Sequence, residues 1–261
     1  MNAKKLFPLV VTVATLSLLA ACGGKKTETS TEETTTPSEQ VTPIDQSTVG
    51  QVTGTVKFEG EKPKPKRIMM DQDPVCVQKH SGPAYAEDGE VNSDGTLPNV
   101  FVYVKEGADK YSFTMPTEPV TLDQDGCMYK PHVLGIMVGQ DFHVISSDPT
   151  THNIHPMPAN NREWNMSQAP GAMPIDQKFA RPEIMIPVKC NQHPWMRAYV
   201  GVMKNPFYVV TGSEGTFALK GLPPGDYTIG AWTATFGEQE LKVTVPAKGT
   251  ATVSFTFKPT A

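Results

Sequence analysis

Two runs of alternating apolar residues flank a short loop in the second half of the chain, and they constrain the fold more than any other feature. The runs are Ile184, Ile186, Val188 and Cys190 before the loop, and Met196, Ala198, Val200 and Val202 after it. Because side chains alternate between the two faces of a strand, each run predicts a strand with one face towards a core. A turn at residues 192–194 joins them, so the sequence predicts an antiparallel hairpin.

The loop of this hairpin carries three side chains that bind soft metal ions. Cys190, His193 and Met196 supply a thiolate, an imidazole and a thioether. A copper site for electron transfer uses these three groups together with a second imidazole. That imidazole is expected from the segment 147–155, which follows an alternating strand at 141–146 and contains both His152 and His155.

The order of these residues resembles the type 1 copper signature of the cupredoxins. In that signature a His-Asn pair, here His152 and Asn153, precedes the Cys, His and Met of the loop by some tens of residues. The short loop is similar to that of amicyanin. The resemblance implies a Greek-key β-sandwich over residues 50–204 that holds one type 1 copper through His152, Cys190, His193 and Met196.

The resemblance also implies how the surroundings of the copper are used. The backbone N–H of Asn153 is expected to donate to the Cys190 sulfur, and the Asn153 side chain to tie the two ligand segments together. The edge of His193 is expected to be exposed. Its neighbours Pro194 and Trp195 would then form an apolar docking surface for a transient protein redox partner.

The remaining histidines and several methionines receive other predictions. His155 is expected on a loop, as a solvent-facing or outer residue; His132 and His143 are expected to be structural; and His80 has no assignment. The segment 156–178 contains Met157, Met166 and Met173. It is either a Cu(I)-loading surface or a loop that uses flexible Met side chains to fill gaps.

The amino terminus is typical of an exported lipoprotein. Lys4 and Lys5 precede an apolar run at 6–21, which predicts a signal peptide over residues 1–21. Leu19-Ala-Ala-Cys22 resembles the bacterial lipoprotein box, which implies lipidation of Cys22. Residues 22–49 are polar and predict a disordered tether. The expected location is the bacterial cell envelope, where the lipid would anchor the protein to a membrane, facing the periplasm or the cell surface.

Elimination pairs the other two cysteines. With Cys22 assigned to lipid and Cys190 to copper, Cys76 and Cys127 remain, and an oxidising compartment favours a disulfide between them. The alternative is a second metal pair formed by Cys76 and His80.

The segment 205–258 has a different pattern. Gly215-Thr-Phe-Ala-Leu219 and the run from Gly221 to Trp232 resemble the carboxypeptidase regulatory-like domain, a small transthyretin-like β-sandwich without catalytic residues of its own. The run 51–58 is similar to the first strand of that fold. The two modules are therefore expected either to share strands or to pack tightly.

Periodicity and charge limit the class of protein. Period two dominates, so the chain is predicted to be all-β. Removing Lys4 and Lys5 from the 23 Lys and Arg leaves 21 against 27 Asp and Glu, a net charge of −6, which disfavours nucleic acid as a partner. The predicted function is a membrane-tethered electron carrier, with no small-molecule substrate and no enzyme activity. The alternatives are copper delivery or storage, and a non-redox envelope interaction protein.

Overall fold

The computed structural model describes residues 42–259, and the predicted signal peptide and the lipidation of Cys22 lie outside them. The described residues form sixteen strands and one short helix. They are β1 (Gly50–Phe58), α1 (Pro74–Gln78), β2 (Phe101–Glu106), β3 (Val120–Gln124), β4 (Tyr129–Lys130), β5 (Val133–Met137), β6 (Phe142–Ser146), β7 (His152–Pro156), β8 (Met166–Gln168), β9 (Ile175–Gln177), β10 (Glu183–Lys189), β11 (Arg197–Met203), β12 (Tyr208–Val210), β13 (Thr216–Leu222), β14 (Gly225–Thr233), β15 (Gly237–Val245) and β16 (Thr250–Phe257). The prediction of an all-β chain is confirmed. No helix within 42–259 is both long and apolar enough to cross a membrane.

The first sandwich consists of strands β3 to β11. One sheet has the order β5-β11-β10-β7-β8 and the other has the order β4-β3-β6-β9. Their inner faces enclose a core that includes Leu122, Tyr129, Phe142, Ile154 and Ile186, all essentially inaccessible to solvent. The alternation along each strand therefore buries one face, as the period-two pattern requires.

The second sandwich combines strands from both ends of the described chain. Its sheets have the orders β13-β1-β16 and β12-β2-β14-β15, with β1 parallel to β16. Strands β1 and β2 lie in the predicted segment 50–204, yet they pair with strands that follow residue 205. The exact domain boundaries stay a prediction. Residues 42–49, at the end of the predicted tether, are folded here, because Thr42 donates its N–H to the carbonyl of Lys110.

Aromatic side chains join the two sandwiches. Phe101 and Tyr103 of β2 form a buried cluster with Val133, Met185 and Met203 of the first sandwich. Gly201 of β11 lies against the ring of Phe101, and a Cβ atom at that position would come within 2.5 Å of the ring. The absence of a side chain at Gly201 therefore permits the close approach of the two sheets.

One prediction for β10 is wrong. Ile184 was expected on the buried face, but it is 39% exposed, whereas Met185 is 5% exposed. The register shifts between Glu183 and Ile186, and Met185 has a φ of 56°. This irregularity turns Met185 inward and restores the predicted alternation from Ile186 onwards.

Part of the segment 59–98 covers the first sandwich, although the segment connects two strands of the second. This segment contains α1, and Ile68, Met70 and Cys76 add their side chains to the core of the first sandwich. Side chains of this segment therefore form part of the first core, which also buries two of the predicted ligands of the hairpin loop.

Candidate metal centre

The hairpin of β10 and β11 positions three of the predicted ligands. Lys189 and Arg197 are its last paired residues. Beyond them the Cys190 N–H donates to the Met196 carbonyl at 3.3 Å, and the Met196 N–H donates to the His193 carbonyl at 2.9 Å. These bonds close the loop tightly. Cys190, His193 and Met196 are 2%, 5% and 0% exposed.

Strand β7 brings the second imidazole to this loop. The two strands are antiparallel and Lys189, the last residue of β10, pairs with His155, so the start of β7 continues past β10 beside the loop. His152 occupies that start and is fully buried, and its Nδ1 atom is 2.9 Å from Nδ1 of His193. His155, which was expected on a loop, lies within β7.

Donor atoms of three of the four predicted ligands lie close enough together to fit one metal ion. Donor atoms of His152, Cys190 and His193 lie within 4.8 Å of one another, and the Cys190 sulfur is 3.7 Å from Nδ1 of His193. A borderline-soft ion bonds imidazole nitrogen at about 2.0 Å and thiolate at about 2.3 Å. Two nitrogens 2.9 Å apart and a sulfur 3.7 Å from one of them are close enough to share such an ion.

Asn153 supports the thiolate and links the two ligand segments. Its backbone N–H lies 3.5 Å from the Cys190 sulfur, and its side-chain oxygen accepts the N–H of Asn191 at 2.5 Å. Burial raises the pKa of the Cys190 thiol, but hydrogen bonds from His152 and from the Asn153 N–H outweigh burial and lower the pKa to about 7. The site therefore favours the metal-binding form of the sulfur at neutral pH.

A buried carboxylate binds His152 at Nε2, the ring nitrogen that faces away from the loop. Nε2 of His152 donates to Asp148 at 2.9 Å, and the Asp148 carboxylate also accepts the N–H groups of Gly126 and Cys127. Burial works to raise the pKa of Asp148, but these hydrogen bonds and the ammonium of Lys79 hold it well below its usual range. Burial lowers the pKa of His152, and hydrogen bonding to Asp148 more than compensates and raises it to about 9. The contact leaves Nδ1 of His152 free to face the loop.

A second carboxylate holds His193. Its Nε2 donates to Asp73 at 3.1 Å, and Asp73 also accepts from the Thr150 hydroxyl at 3.0 Å and from the N–H of Val75 at 2.8 Å. Asp73 is the N-cap residue of α1. The expectation of an exposed His193 edge is therefore wrong, because Asp73 and α1 cover this imidazole. Trp195 is partly buried and donates to the Cys127 carbonyl at 3.0 Å, whereas Pro194 is exposed.

A disulfide between Cys76 and Cys127 ties these outer groups together, and it confirms the predicted pairing. Cys76 lies in α1, three residues after Asp73, and the N–H of Cys127 binds Asp148. Sulfur atoms of the bridge lie within 4.8 Å of a ring nitrogen of His193. Because Cys76 is in the bridge, the alternative pairing with His80 is wrong. His80 instead contacts the Gly126 carbonyl at 2.7 Å.

The other histidines have carboxylate partners outside this centre. His155 contacts Glu163 at 2.6 Å and His143 contacts Asp176 at 2.6 Å. His132 is buried and has acceptors at both ring nitrogens, the Arg197 carbonyl and Asp88.

The three methionines of the segment 156–178 differ in how far their side chains are exposed to solvent. Met173 is 82% exposed and Met166 is 39% exposed, so neither fills a gap in the core. Met157 is partly buried.

Two residues of the site, Asp73 and Asp148, are not recognisable as such in the sequence. Each had a local signal. Asp73 precedes Pro74, a pair typical of a helix start, and Asp148 lies in a Ser-Asp-Pro turn four residues before His152. Neither signal indicates an imidazole partner, because those contacts depend on the tertiary fold.

Comparisons with known proteins match separate parts of the chain. Residues 193–258 match the family model of the carboxypeptidase regulatory-like domain. No curated protein matches this chain.

Similar solved structures include a nitrite reductase, an amicyanin and a cupredoxin. A copper-containing nitrite reductase from Thermus scotoductus SA-01 is 18% identical over 40% of this chain, with a TM-score of 0.32, and the match spans only 25% of the reductase chain. An oxidised amicyanin variant is 18% identical over 39% of this chain and 90% of its own, with a TM-score of 0.30. A purple cupredoxin from Nitrosopumilus maritimus is 21% identical over 32% of this chain and 98% of its own, with a TM-score of 0.27.

Proposed function

We propose that this protein is a copper protein that carries single electrons between partners of the cell envelope, with one type 1 copper held by His152, Cys190, His193 and Met196. The observation that carries the proposal is the convergence of two imidazole Nδ1 atoms on the buried Cys190 sulfur. Two nitrogens and a thiolate with a weak axial thioether are the donor set of electron-transfer copper sites. Such a copper ion, when bound, supplies a one-electron couple.

The surrounding residues hold this donor set rigid. Asp148 and Asp73 fix the two imidazole rings through their outer nitrogens, and the Asn153 N–H fixes the sulfur. A site that keeps one geometry in both oxidation states needs little reorganisation when an electron moves. Burial of all four side chains excludes water and tunes the potential. Four protein ligands leave no open position for a substrate, so we do not propose an enzyme.

Visible absorption and electron paramagnetic resonance of the purified protein loaded with one equivalent of Cu(II) test this function. We expect an intense thiolate-to-copper charge-transfer band that ascorbate bleaches and that Cys190→Ser removes. Asn191→Ser, on the same loop but outside the ligand set, is the control and retains the band. A weak nitrogen-dominated spectrum that is indifferent to Cys190 contradicts the proposal.

The exposed methionines favour copper delivery as a second candidate. The thioethers of Met166 and Met173 are accessible, and thioethers are soft ligands for Cu(I). If delivery is the function, Met166→Leu and Met173→Leu together slow the loading of the centre by Cu(I) without changing its final spectrum. Unchanged loading kinetics exclude this role for the two residues.

We also propose that Cys22 carries a lipid that anchors the protein to an envelope membrane. The support is the Leu19-Ala-Ala-Cys22 sequence after an apolar run and the polar stretch that follows. Labelling with a radioactive fatty acid in the expressing bacterium tests it. Incorporation into the wild type and its loss in Cys22→Ala is the expected result, and labelling that persists in Cys22→Ala contradicts the proposal.

A further inference from the structure

A groove lies beside the candidate metal centre, on the outer face of the β10–β11 hairpin. Its volume is about 680 Å³, and Cys190 is among the residues that line it. Cys190 itself is 2% exposed, so a molecule in the groove would touch mainly the backbone on either side of the thiolate ligand. Lys189 and Asn191, the neighbours of Cys190 in the chain, also line the groove.

Strand register arranges the lining into one apolar row and one basic row. Pro187 pairs with Tyr199, and the Met157 N–H donates to the Pro187 carbonyl at 2.8 Å, so these residues form an apolar floor. In the next row Lys189 pairs with Arg197. Like charges directly opposite each other destabilise a sheet, so the Lys189–Arg197 pair is expected to lower the stability of the hairpin.

The positive charges of Lys189 and Arg197 are not paired with carboxylates in the part of the chain that the structure describes. No salt bridge involves Lys189 or Arg197 anywhere in residues 42–259, and no acidic residue lines the groove. Two carboxylates near the row keep their charge, but each is hydrogen-bonded to an imidazole instead of forming an ion pair with Lys189 or Arg197. Glu163 is hydrogen-bonded to His155, the other cross-strand neighbour of Lys189, and Asp88 is hydrogen-bonded to His132. The groove thus offers positive charge on a protein whose formal net charge is negative.

The outer edges of both imidazoles are closed to a partner. Asp148 covers His152, which is fully buried, and Asp73 together with α1 covers His193, which is 5% exposed. Trp195, expected to flank an exposed imidazole, instead donates to a backbone carbonyl. At the groove, by contrast, the backbone of Lys189 and Asn191 reaches the surface and is covalently bonded to Cys190, a proposed copper ligand.

We infer that this groove is the docking surface for an acidic one-electron redox protein, which exchanges electrons with the copper through Cys190. The inference rests on the proposed function. In each exchange the partner loses or gains one electron, and the copper gains or loses the same electron, with no bond made or broken. The apolar floor suits a small, transient interface, and the Lys189–Arg197 row steers a negatively charged surface to it. The acidic remainder of the chain repels the same partner, so the row also sets its orientation.

Stopped-flow kinetics test the inference on the copper-loaded full chain in uncharged detergent, with reduced plant-type [2Fe–2S] ferredoxin as an acidic one-electron donor. The groove variant is Lys189→Gln with Arg197→Gln. The control is Lys220→Gln with Lys242→Gln, which removes the same charge from exposed positions of the second sandwich. We expect the second-order rate constant at low salt to fall about tenfold in the groove variant and to stay within twofold in the control. The salt dependence of the rate should weaken only in the groove variant.

The spectrum separates failure of the docking surface from failure of the proposed function. Both variants should keep the thiolate-to-copper band. If the wild type lacks this band, the proposed function fails and the docking surface fails with it. A normal band with equal ferredoxin rates in the two variants overturns the docking surface alone. If reduction by hexacyanoferrate(II) is slower in the groove variant while reduction by ferredoxin is not, the groove binds a small anion, and the proposal of a protein partner is overturned.

Discussion

Nε2 of His193 lies 3.1 Å from a carboxylate oxygen of Asp73, a residue 120 positions earlier in the chain. This contact brings the long connection between β1 and β2 onto the metal loop. The same oxygen accepts the Thr150 hydroxyl, from the segment just before β7. One carboxylate therefore joins three segments that are remote in sequence, and it determines which way the His193 ring faces.

Replacing Asp73 with Asn should weaken copper binding without unfolding α1. Asn is as good an N-cap as Asp, so the helix start is preserved, but a neutral amide is a weaker acceptor for an imidazole that must remain a ligand. We expect the affinity for Cu(II) to fall about 10-fold to 100-fold, measured by competition with a chelator of known affinity. Asp71→Asn, at an exposed position of the same segment, is the control. Equal affinities in Asp73→Asn and the wild type contradict this role.

Replacing Asp148 with Asn should destabilise the metal-free protein by about 3 kcal/mol at pH 6, because a buried charge pair loses one member. The pKa of Asp148 lies below its usual value, so its contribution is complete above about pH 4 and is lost as the pH falls further. The pKa of His152 is raised to about 9, so its contribution is complete below about pH 6.5 and is lost as the pH rises through 9.

Denaturant titration at several pH values checks the Asp148 prediction. The stability difference between Asp148→Asn and the wild type should be largest between about pH 5 and 6.5 and should shrink towards pH 3 and pH 10. Asp176→Asn is the matched control, because Asp176 also contacts an imidazole but is 67% exposed in its side chain. A difference that does not vary with pH argues against the pair.

Removing the disulfide should affect both folding and the metal site. Cys76→Ser with Cys127→Ser opens a loop of about 51 residues, and the free energy of unfolding should fall by about 4 kcal/mol. Copper affinity should fall too, because the bridge anchors α1 with Asp73 and the Cys127 N–H that binds Asp148. Denaturant titration and chelator competition measure the two effects. A variant that binds copper as tightly as the wild type would show that α1 stays docked without the bridge.

Asp88 should stabilise the fold most strongly while His132 is protonated. Burial lowers the pKa of His132, but hydrogen bonding to Asp88 raises it above its usual value. Burial works to raise the pKa of Asp88, but hydrogen bonding and charge attraction, mainly to His132, outweigh burial and lower it. The contribution of the pair is therefore complete between about pH 4 and pH 6.5, and it is lost as the pH rises through the raised pKa of His132. Asp88→Asn should cost about 1 to 2 kcal/mol at pH 6, and less at pH 10, in denaturant titrations. The control is Glu90→Gln, an exposed neighbour. If Asp88→Asn lowers the free energy of unfolding equally at both pH values, the charge of His132 does not explain the effect.

A chain that stops at Lys204 should not fold, although it contains every proposed ligand. Strand β1 would lose its partners β13 and β16, and β2 would lose β12 and β14. Val52, Val56 and Val102 would lose the core that buries them. We expect aggregation in size-exclusion chromatography and loss of the strand signal in circular dichroism. A monomeric truncated chain that binds copper would show that the first sandwich is independent.

Local pattern was sufficient for much of the fold and for part of the site. The alternation around residues 184–202 predicted the hairpin and placed Cys190, His193 and Met196 together, because side-chain direction in a strand follows position alone. The choice of His152 over His155 needed the resemblance to a known signature. Both lie in β7, and periodicity alone did not separate them.

Local sequence was sufficient to predict the all-β class and the order of the candidate ligands, and elimination among the cysteines favoured the Cys76–Cys127 bridge that the structure contains. The contacts of Asp73 and Asp148 with the imidazoles, the burial of His193 and the pairing of β2 with the second sandwich became evident only in the folded structure. The reason is physical. Strand periodicity and ligand chemistry are properties of neighbouring residues, whereas burial and hydrogen-bond partners depend on which distant segments pack together, and local pattern leaves many such packings open.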